Sequence, residues 1–258
     1  MFEEFLRFVD KIAPTWFVFE NVYGLTKFKN GEENIQNHIE NRFRDIGYTV
    51  KSKILYASDF GVPQRRNRLF IVGNRNGIDF EFPKEFDYSV SVDEAISDLP
   101  VLGNGEIQMK GEYTVPFEQA SPYAQLMRKK SKAPTQNIVS RNKDYVVERY
   151  KYIGQGENWS SIPDSLMENY ADKKRCHSGI YKRLIGGKPS VVISNYRKSM
   201  LIHPHQDRGL SVREAARLQS FPDHFIFEGP VSYVQQQIGN AVPPLLAKAV
   251  MKKILTYK

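Results

Sequence analysis

The sequence predicts an α/β protein in which one half of an open sheet is joined to a smaller, loop-rich domain. Over residues 1–75, short apolar runs alternate with segments whose apolar residues recur at helical spacing. Between residues 80 and 208 this periodicity weakens, and aromatic residues, lysines, glycines and prolines are mixed. With 258 residues, of which 41% are hydrophobic and 26% charged, the chain can bury a sizeable core and is unlike a disordered protein.

The first 75 residues predict the order helix, strand, helix, strand, strand. Pro14 ends the first helix, whose apolar face consists of Phe2, Phe5, Leu6, Val9 and Ile12. A continuous apolar run over residues 16–19 is typical of a buried strand. Gly47 ends the second helix, whose apolar stripe consists of Ile35, Ile39, Phe43 and Ile46. Further strands are predicted over residues 50–56 and 69–72, and Gly73 closes the last one.

The later residues predict fewer regular elements. Short helices are expected over residues 145–152 and 164–170, and a strand over residues 191–193. Regularity returns where Ser211 and Glu214 fit a capping box, which begins a helix that reaches about Gln219. The last helix is expected to begin near residues 243–244, because proline suits the first turn of a helix.

These patterns divide the chain into three parts. We predict a sheet domain over residues 1–85 and a loop-rich domain over residues 86–208. Residues 209–258 are expected to form a hinge helix and a terminal helix that returns to the sheet domain.

Charge and cysteine content restrict the possible partners and location. A net charge of +8 favours a polyanionic partner, nucleic acid first, although a merely solvated basic surface is the alternative. The single cysteine excludes an internal disulfide framework and a multi-cysteine zinc site, so no metal is expected. No apolar run approaches the ~18–20 residues of a membrane span, and the acidic start differs from a signal peptide. We therefore expect a cytoplasmic protein without a membrane partner.

Two short polar stretches adjoin the predicted strands. Glu20-Asn21-Val22 follows the first strand, and a carboxylate at this end of an α/β strand lies where such sheets bind ligands. Partial burial would raise the pKa of Glu20, which suits proton transfer, although a capping role is the alternative. In the second stretch, strand alternation sends Arg66 and Arg68 to one side, where two guanidiniums can clamp an anion or a base oxygen. A solvated basic loop is the alternative for that stretch.

Two further stretches lie near the end of the chain. Residues 213–223 read Arg-Glu-Ala-Ala-Arg-Leu-Gln-Ser-Phe-Pro-Asp, and residues 237–244 read Gln-Ile-Gly-Asn-Ala-Val-Pro-Pro. A Gly239-Asn240 turn that leads into a proline-started helix would expose backbone amides to an anion or a cofactor. An ordinary helix entry is the alternative interpretation.

Taken in this order, the four stretches resemble the C5-cytosine DNA methyltransferase family. Residues 91–100 and 177–184 add to the resemblance, which covers nearly the whole chain and is weakest over residues 101–175. The implied fold is the C-terminal half of a Rossmann-like methyltransferase sheet plus a small, loop-rich target-recognition domain. The implied partner is double-stranded DNA, and the implied cofactor is S-adenosylmethionine.

The resemblance also implies roles for individual residues. In this family a cytosine is flipped out of the duplex, a cysteine thiolate attacks C6, and C5 receives a methyl group from S-adenosylmethionine. Glu20 would hold the N4 amino group and protonate N3, Arg68 would bind O2, and Arg66 would support Glu20 and the DNA phosphates. The cofactor would contact Gly239, Asn240 and Ala241. Substrate contacts are assigned to Asn21, Val22, Gln64, Arg197 and Lys198, with Gln64 ordering the entrance to its strand.

The family's Pro-Cys-Gln nucleophile loop and its Phe-x-Gly-x-Gly cofactor loop are absent from this sequence. The 19 residues before Glu20 contain neither cysteine nor glycine, and they match the family's helix and strand after the nucleophile loop. Cys176 lies between Arg175 and His177, which would lower its thiol pKa, but an incidental thiol is favoured because it falls in the loop-rich domain. We therefore expect an incomplete cofactor site and a second protein chain that carries both missing loops.

Three interpretations of the chain remain open. It is the second subunit of a split methyltransferase, inactive alone; a remnant of an interrupted gene; or a non-enzymatic module that binds DNA through its basic surface. A restriction–modification context is expected from the family, whereas the DNA target sequence cannot be derived from these residues.

Overall fold

The computed structural model describes residues 2–24, 29–30, 33–168, 177–194, 196–198 and 200–257. The helices in these residues are α1 (Phe2–Ile12), α2 (Ile35–Asp45), α3 (Val92–Ile96), α4 (Pro122–Arg128), α5 (Asp144–Tyr150), α6 (Val212–Leu218), α7 (Val231–Asn240) and α8 (Pro244–Leu255). The strands are β1 (Trp16–Val22), β2 (Lys29–Asn30), β3 (Glu33–Asn34), β4 (Thr49–Tyr56), β5 (Asn67–Asn74), β6 (Ile107–Lys110) and β7 (Thr135–Ile138). None of the helices in these ranges has the length and apolar character needed to cross a bilayer.

The largest sheet has three antiparallel strands, with β5 in the centre between β1 and β4. The predicted helices and strands are all present in the predicted order over residues 2–74, with the two-residue strands β2 and β3 added between β1 and α2. The first strand is longer than predicted, because Glu20, Asn21 and Val22 continue the ladder opposite β5. Glu20 therefore lies within β1 and not beyond its end.

Side-chain alternation in this sheet separates two apolar layers. On one face, α1 and α2 pack through Leu6, Val9, Ile39 and Phe43 against alternate residues of β1 and β5. On the other face, α8 packs through Leu246, Val250 and Ile254. Because Trp16, Val18, Phe70 and Val72 face α8, Glu20 and Arg68 continue the same face toward the start of α8.

The prediction that Gly73 closes the last strand was wrong. Gly73 lies inside β5 opposite Phe17, and a Cβ at Gly73 would lie 2.1 Å from the Phe17 ring. The glycine is therefore explained by the close approach of an aromatic ring across the sheet, and the strand continues to Asn74.

A second core lies beyond the sheet and spans the predicted boundary between residues 208 and 209. It contains residues of α3, α4, α6 and α7, together with Leu184, Ile193, Tyr196, Leu201 and Leu210. The predicted strand over residues 191–193 was wrong, because this extended segment makes only an isolated bridge between Ser190 and Gln64. The helix predicted over residues 145–152 is present as α5. The one over residues 164–170 is a 3₁₀ turn at Asp164–Leu166, with its last two residues outside the described ranges.

Helix α7 was missed by the sequence analysis. Val234 and Ile238 form its buried stripe, and the three consecutive glutamines between them weaken the apolar pattern. The expected Gly239-Asn240 turn is thus the last turn of α7. The Ala241 amide donates to the Gln237 carbonyl, so it is not exposed as expected.

Helix α6 buries several charged residues and confirms the predicted capping box. The Ser211 hydroxyl accepts from the Glu214 amide, and the Glu214 carboxylate accepts from the Ser211 amide. Arg208 donates to both Glu214 oxygens, at 2.9 and 2.7 Å. Burial alone would raise the pKa of Glu214, but Arg208 outweighs it and the pKa falls to about 2.

We predict that Glu214→Gln destabilises the chain by about 3–5 kcal/mol at pH 7, because it leaves the buried Arg208 charge uncompensated. Since the folded-state pKa is depressed, the carboxylate stabilises the fold fully above about pH 4.5 and loses its effect as the pH falls toward about 2. Urea unfolding between pH 3 and pH 7 measures both effects. Glu94→Gln is the matched control, because Glu94 closes a similar capping box at an exposed position of helix α3. Equal losses in the two variants would contradict the prediction.

Candidate active site

Glu20, Arg66 and Arg68 meet where β1 and β5 approach the start of α8. The Arg68 Nε atom lies 2.7 Å from Glu20 Oε1, and the two side chains are 12% and 25% exposed. Val22 is opposite Arg68 in the ladder, so Arg68 is the diagonal neighbour of Glu20 on the same face. Both guanidiniums act on the Glu20 carboxylate, which agrees with the predicted alternation of Arg66 and Arg68.

The electrostatics of Glu20 are balanced between burial and its two cationic neighbours. Burial raises the pKa of Glu20 above its ordinary value, although Arg68 and then Arg66 oppose this effect. Oε1 is the buried oxygen that the Arg68 guanidinium engages, and this contact opposes the rise in the pKa of Glu20. A half-buried carboxyl group with a raised pKa can bind a polar ligand and exchange a proton with it.

Arg66 is 1% exposed and connects three segments of the chain. Its Nη1 donates to the Ile193 carbonyl at 3.1 Å, and its Nη2 donates to the Gly239 carbonyl at 2.8 Å. Burial, followed by the nearby charge of Arg68, lowers the pKa of Arg66 to about 10, so it stays cationic at neutral pH. The expected support of DNA phosphates does not fit this burial, whereas proximity to Glu20 does.

Gln64 is fully buried and pairs with Gln219, which the sequence analysis did not single out. The Gln64 amide nitrogen donates to Gln219 Oε1 at 2.9 Å, and Gln64 Oε1 accepts from the Ile193 amide at 2.9 Å. Gln219 in turn donates to the Ile238 carbonyl at 2.6 Å. These bonds order the entrance to β5, as expected for Gln64, and leave it no exposed atom for direct DNA contact. In the sequence, Gln219 could have been identified from its place in the stretch over residues 213–223.

A polar cleft of about 450 Å³ lies beside the buried arginine. It is lined by Ser194, Arg197, Lys198, Ser232, Gln235, Gln236 and Asn240. The expected substrate residues Arg197 and Lys198 are exposed here, together with the expected cofactor residue Asn240. The structure therefore brings residues predicted to bind substrate and a residue predicted to bind the cofactor to one cleft.

The remaining expected site residues lie at the end of β1 and outside the described ranges. Val22 is 51% exposed, and the Asn21 side chain accepts a hydrogen bond from the Val22 amide at 2.8 Å. Cys176 lies outside the described residues. Within the described residues, no cluster of three or more histidine, cysteine, aspartate or glutamate side chains is arranged to hold a metal ion.

We predict that Gly239→Ala destabilises the fold. A Cβ there would lie 2.0 Å from the Ser194 carbonyl oxygen, and Arg66 holds both backbone segments in place. Such overpacking costs about 1–3 kcal/mol, whereas the same change in an open helix stabilises by about 1 kcal/mol, so the sign is diagnostic. Urea unfolding gives the free energy of unfolding. Gly187→Ala is the control, because a Cβ at Gly187 would meet no atom within 4 Å other than those of its chain neighbours. A Gly239→Ala variant as stable as the parent chain would contradict the packing described here.

Comparison with known proteins places the chain in a family. The family model for C-5 cytosine-specific DNA methylases matches residues 1–256. The chain is 35% identical to the type II methyltransferase M1.HphI of Haemophilus parahaemolyticus, over 99% of this chain and 60% of that protein. It is 33% identical to the type II methyltransferase M.DdeI of Desulfomicrobium norvegicum, over 100% of this chain and 66% of that protein. The chain thus spans about 60–66% of the length of these curated relatives.

A solved structure supports the fold independently. It is a prophage-encoded chain from E. coli, provisionally assigned as a DNA modification methyltransferase, and it superposes with a TM-score of 0.74 at 24% identity. The superposition covers 98% of this chain and 72% of that one, which shows a shared α/β methyltransferase fold. The family match over almost every residue and the shared fold lead to one conclusion: this chain belongs to the C-5 cytosine-specific DNA methylase family.

Proposed function

We propose that these 258 residues hold the target cytosine and recognise the DNA in a reaction that methylates cytosine at C5. The observation that carries the proposal is the half-buried Glu20 carboxyl group, which has a raised pKa and is paired with Arg68 at 2.7 Å. A flipped cytosine offers the complementary groups, namely the N4 amino group, N3 and O2.

Glu20 and Arg68 activate the cytosine ring in this proposal. The Glu20 carboxyl group accepts a hydrogen bond from N4 and gives a proton to N3, and its raised pKa favours the protonated form that this step requires. The Arg68 guanidinium binds O2 and stabilises the negative charge that develops there. Protonation at N3 makes C6 more electrophilic, which is the condition for nucleophilic attack.

Arg66 and Gln64 act as positioning residues. Arg66 adds a second positive charge next to Glu20, while its two carbonyl contacts fix the segment at residues 193–194 and the end of α7. The buried pair of Gln64 and Gln219 holds the same segment from the other side. The reactive carboxyl group is thus supported by a rigid polar framework.

DNA contacts are proposed for the exposed polar residues around this site. Arg197 and Lys198 line the polar cleft, and Asn21 and Val22 lie at the end of the strand that carries Glu20. A net charge of +8 favours approach to the phosphate backbone. We assign target recognition to the loop-rich domain at residues 86–208, and the flanking parts at 1–85 and 209–258 to the C-terminal half of a Rossmann-like sheet.

Residues 239–241 fit one wall of a site for S-adenosylmethionine. The exposed Asn240 presents a side-chain amide at the polar cleft, and Gly239 permits the close contact with Ser194 that shapes the cleft wall. When bound, S-adenosylmethionine supplies the methyl group that C5 receives. Asn240 and Ala241 would orient it, and the rest of its site is proposed to lie on polypeptide outside these residues.

We further propose that a second protein chain supplies the cysteine nucleophile and the cofactor loop. Among the described residues, the outer edge of β1 pairs with no strand, so its backbone groups are available to a neighbouring strand. On α1 next to it, Phe8 is 53% exposed and Ile12 is 69% exposed. An apolar surface beside an open strand edge supports a partner that completes the sheet.

The test is transfer of labelled methyl groups to duplex DNA by this chain mixed with a polypeptide that carries the Pro-Cys-Gln and Phe-x-Gly-x-Gly motifs. We predict that Glu20→Gln lowers the rate by about 10²–10⁴-fold, because it removes the proton donor. Glu118→Gln is the control, since Glu118 lies in an exposed turn and its substitution makes the same charge change.

Two results would separate the parts of the proposal. A normal rate for Glu20→Gln in the mixture would refute the role of Glu20. Methyl transfer by this chain alone would refute the second-chain proposal while leaving the role of Glu20 intact. Salt-sensitive binding of duplex DNA by a mixture that never methylates would instead indicate a DNA-binding module.

A further inference from the structure

A cavity of about 480 Å³ lies on the side of α8 that faces away from the sheet. Its apolar walls come from four different segments and include Phe60, Phe86, Tyr88, Tyr123, Leu126 and Leu245. This volume is within the usual range of about 300–1,000 Å³ for small-molecule sites, which are also mostly apolar. None of the residues assigned above to the base, the DNA or the cofactor lines this cavity.

The walls are held in place without a ligand. The Phe86 amide donates to the Asp59 carbonyl at 2.8 Å, which fixes the loop that carries Phe86 and Tyr88. Gly61 has a φ of +75°, and a Cβ there would lie 3.6 Å from the Phe86 ring. On the opposite wall, the Tyr123 hydroxyl donates to the Arg217 carbonyl. A preformed cavity avoids the cost of ordering its walls when a ligand binds.

An aromatic surface is available in this cavity. The Phe86 and Tyr88 rings are stacked, with centroids 5.3 Å apart and an interplanar angle of 17°. Phe86 is 45% exposed and Tyr88 is 57% exposed. A flat pair of exposed rings is suited to stacking against another planar ring.

Two lysines add positive charge to the same cavity. Lys248 and Lys252 lie one helical turn apart on α8, and within the described residues neither forms an ion pair. Their neighbour Lys253 differs, because its Nζ lies 3.6 Å from Glu81. Glu94 also lines the cavity, but its carboxylate accepts bonds from the Ser91 amide and hydroxyl at 2.8 and 2.6 Å and is engaged in the cap of α3.

From these observations we propose that the cavity binds a small planar aromatic anion. The ring of the ligand stacks on Phe86 and Tyr88, and its phosphate, sulfate or carboxylate group is bound by Lys248 and Lys252. The chemistry of the walls defines this class, since aromatic stacking alone would accept neutral rings and the lysines alone would accept any anion. The site is separate from the proposed methyl-transfer site and does not depend on it.

The experiment titrates the whole chain with 2-naphthyl phosphate by isothermal calorimetry, and 2-naphthol and inorganic phosphate are titrated in parallel. Charge-assisted hydrogen bonds make the expected effect large: the double variant Lys248→Gln/Lys252→Gln should bind 2-naphthyl phosphate at least about tenfold more weakly. The parent chain should also bind 2-naphthyl phosphate at least about tenfold more tightly than it binds 2-naphthol. Tyr88→Ala should also weaken binding, and both changes are at exposed positions that the fold tolerates.

Lys253→Gln is the matched control, because it removes one charge from the same helix at a residue outside the cavity. Amide chemical shifts should change near residues 86–94 and 244–255 in the parent chain and stay constant in the double variant. Equal affinity in the parent chain and the double variant would overturn the proposal. So would shifts confined to other parts of the chain, displacement of the probe by duplex DNA, or no binding at millimolar probe.

Discussion

The two hydrogen bonds of Arg66 hold together the part of the molecule on which the site depends. One guanidinium donates to carbonyls of Ile193 and Gly239, which are 127 and 173 residues away in sequence. Buried bonds from a charged donor contribute about 1.5–3 kcal/mol each, and loss of Arg66 would leave two carbonyls without their donor. The same side chain lies close enough to Glu20 to affect its pKa. One residue thus links the packing of the second core to the electrostatics of the sheet edge.

Two opposing effects act on the pKa of Glu20. Burial favours the neutral carboxyl group, and the charges of Arg68 and Arg66 favour the carboxylate. Burial outweighs the two charges, so the pKa of Glu20 is raised and the neutral acid is more favoured than in an exposed carboxyl group, which suits a general acid. The exposed part of the Glu20 side chain keeps the group accessible, whereas Arg66 is enclosed.

Periodicity was sufficient to predict the elements with a continuous apolar stripe, but it could not predict contacts made by single polar residues. Helices α1, α2 and α8 were found within a residue or two, because their buried faces recur at helical spacing. Helix α7 was missed because Gln235, Gln236 and Gln237 interrupt its stripe. The site residues Glu20, Arg66 and Arg68 were found as motifs, whereas the buried partner Gln219 and the cleft at the end of α7 arise from long-range packing, which a local pattern does not encode.

The buried ion pairs of α6 have a consequence for the construction of chimeras. Arg217 binds Asp98 at 2.9 Å and Asp223 at 2.6 Å, so its partners lie on both sides of the predicted boundary between residues 208 and 209. If the loop-rich domain were exchanged for that of a relative to alter sequence preference, a graft cut at this boundary would separate Asp98 from Arg217. Such a chimera would then keep the ion pair only if both parents have the acid of Asp98 and the base of Arg217, or if the exchanged segment extends beyond Asp223. The buried ion pairs of Arg217 therefore limit where the loop-rich domain can be exchanged.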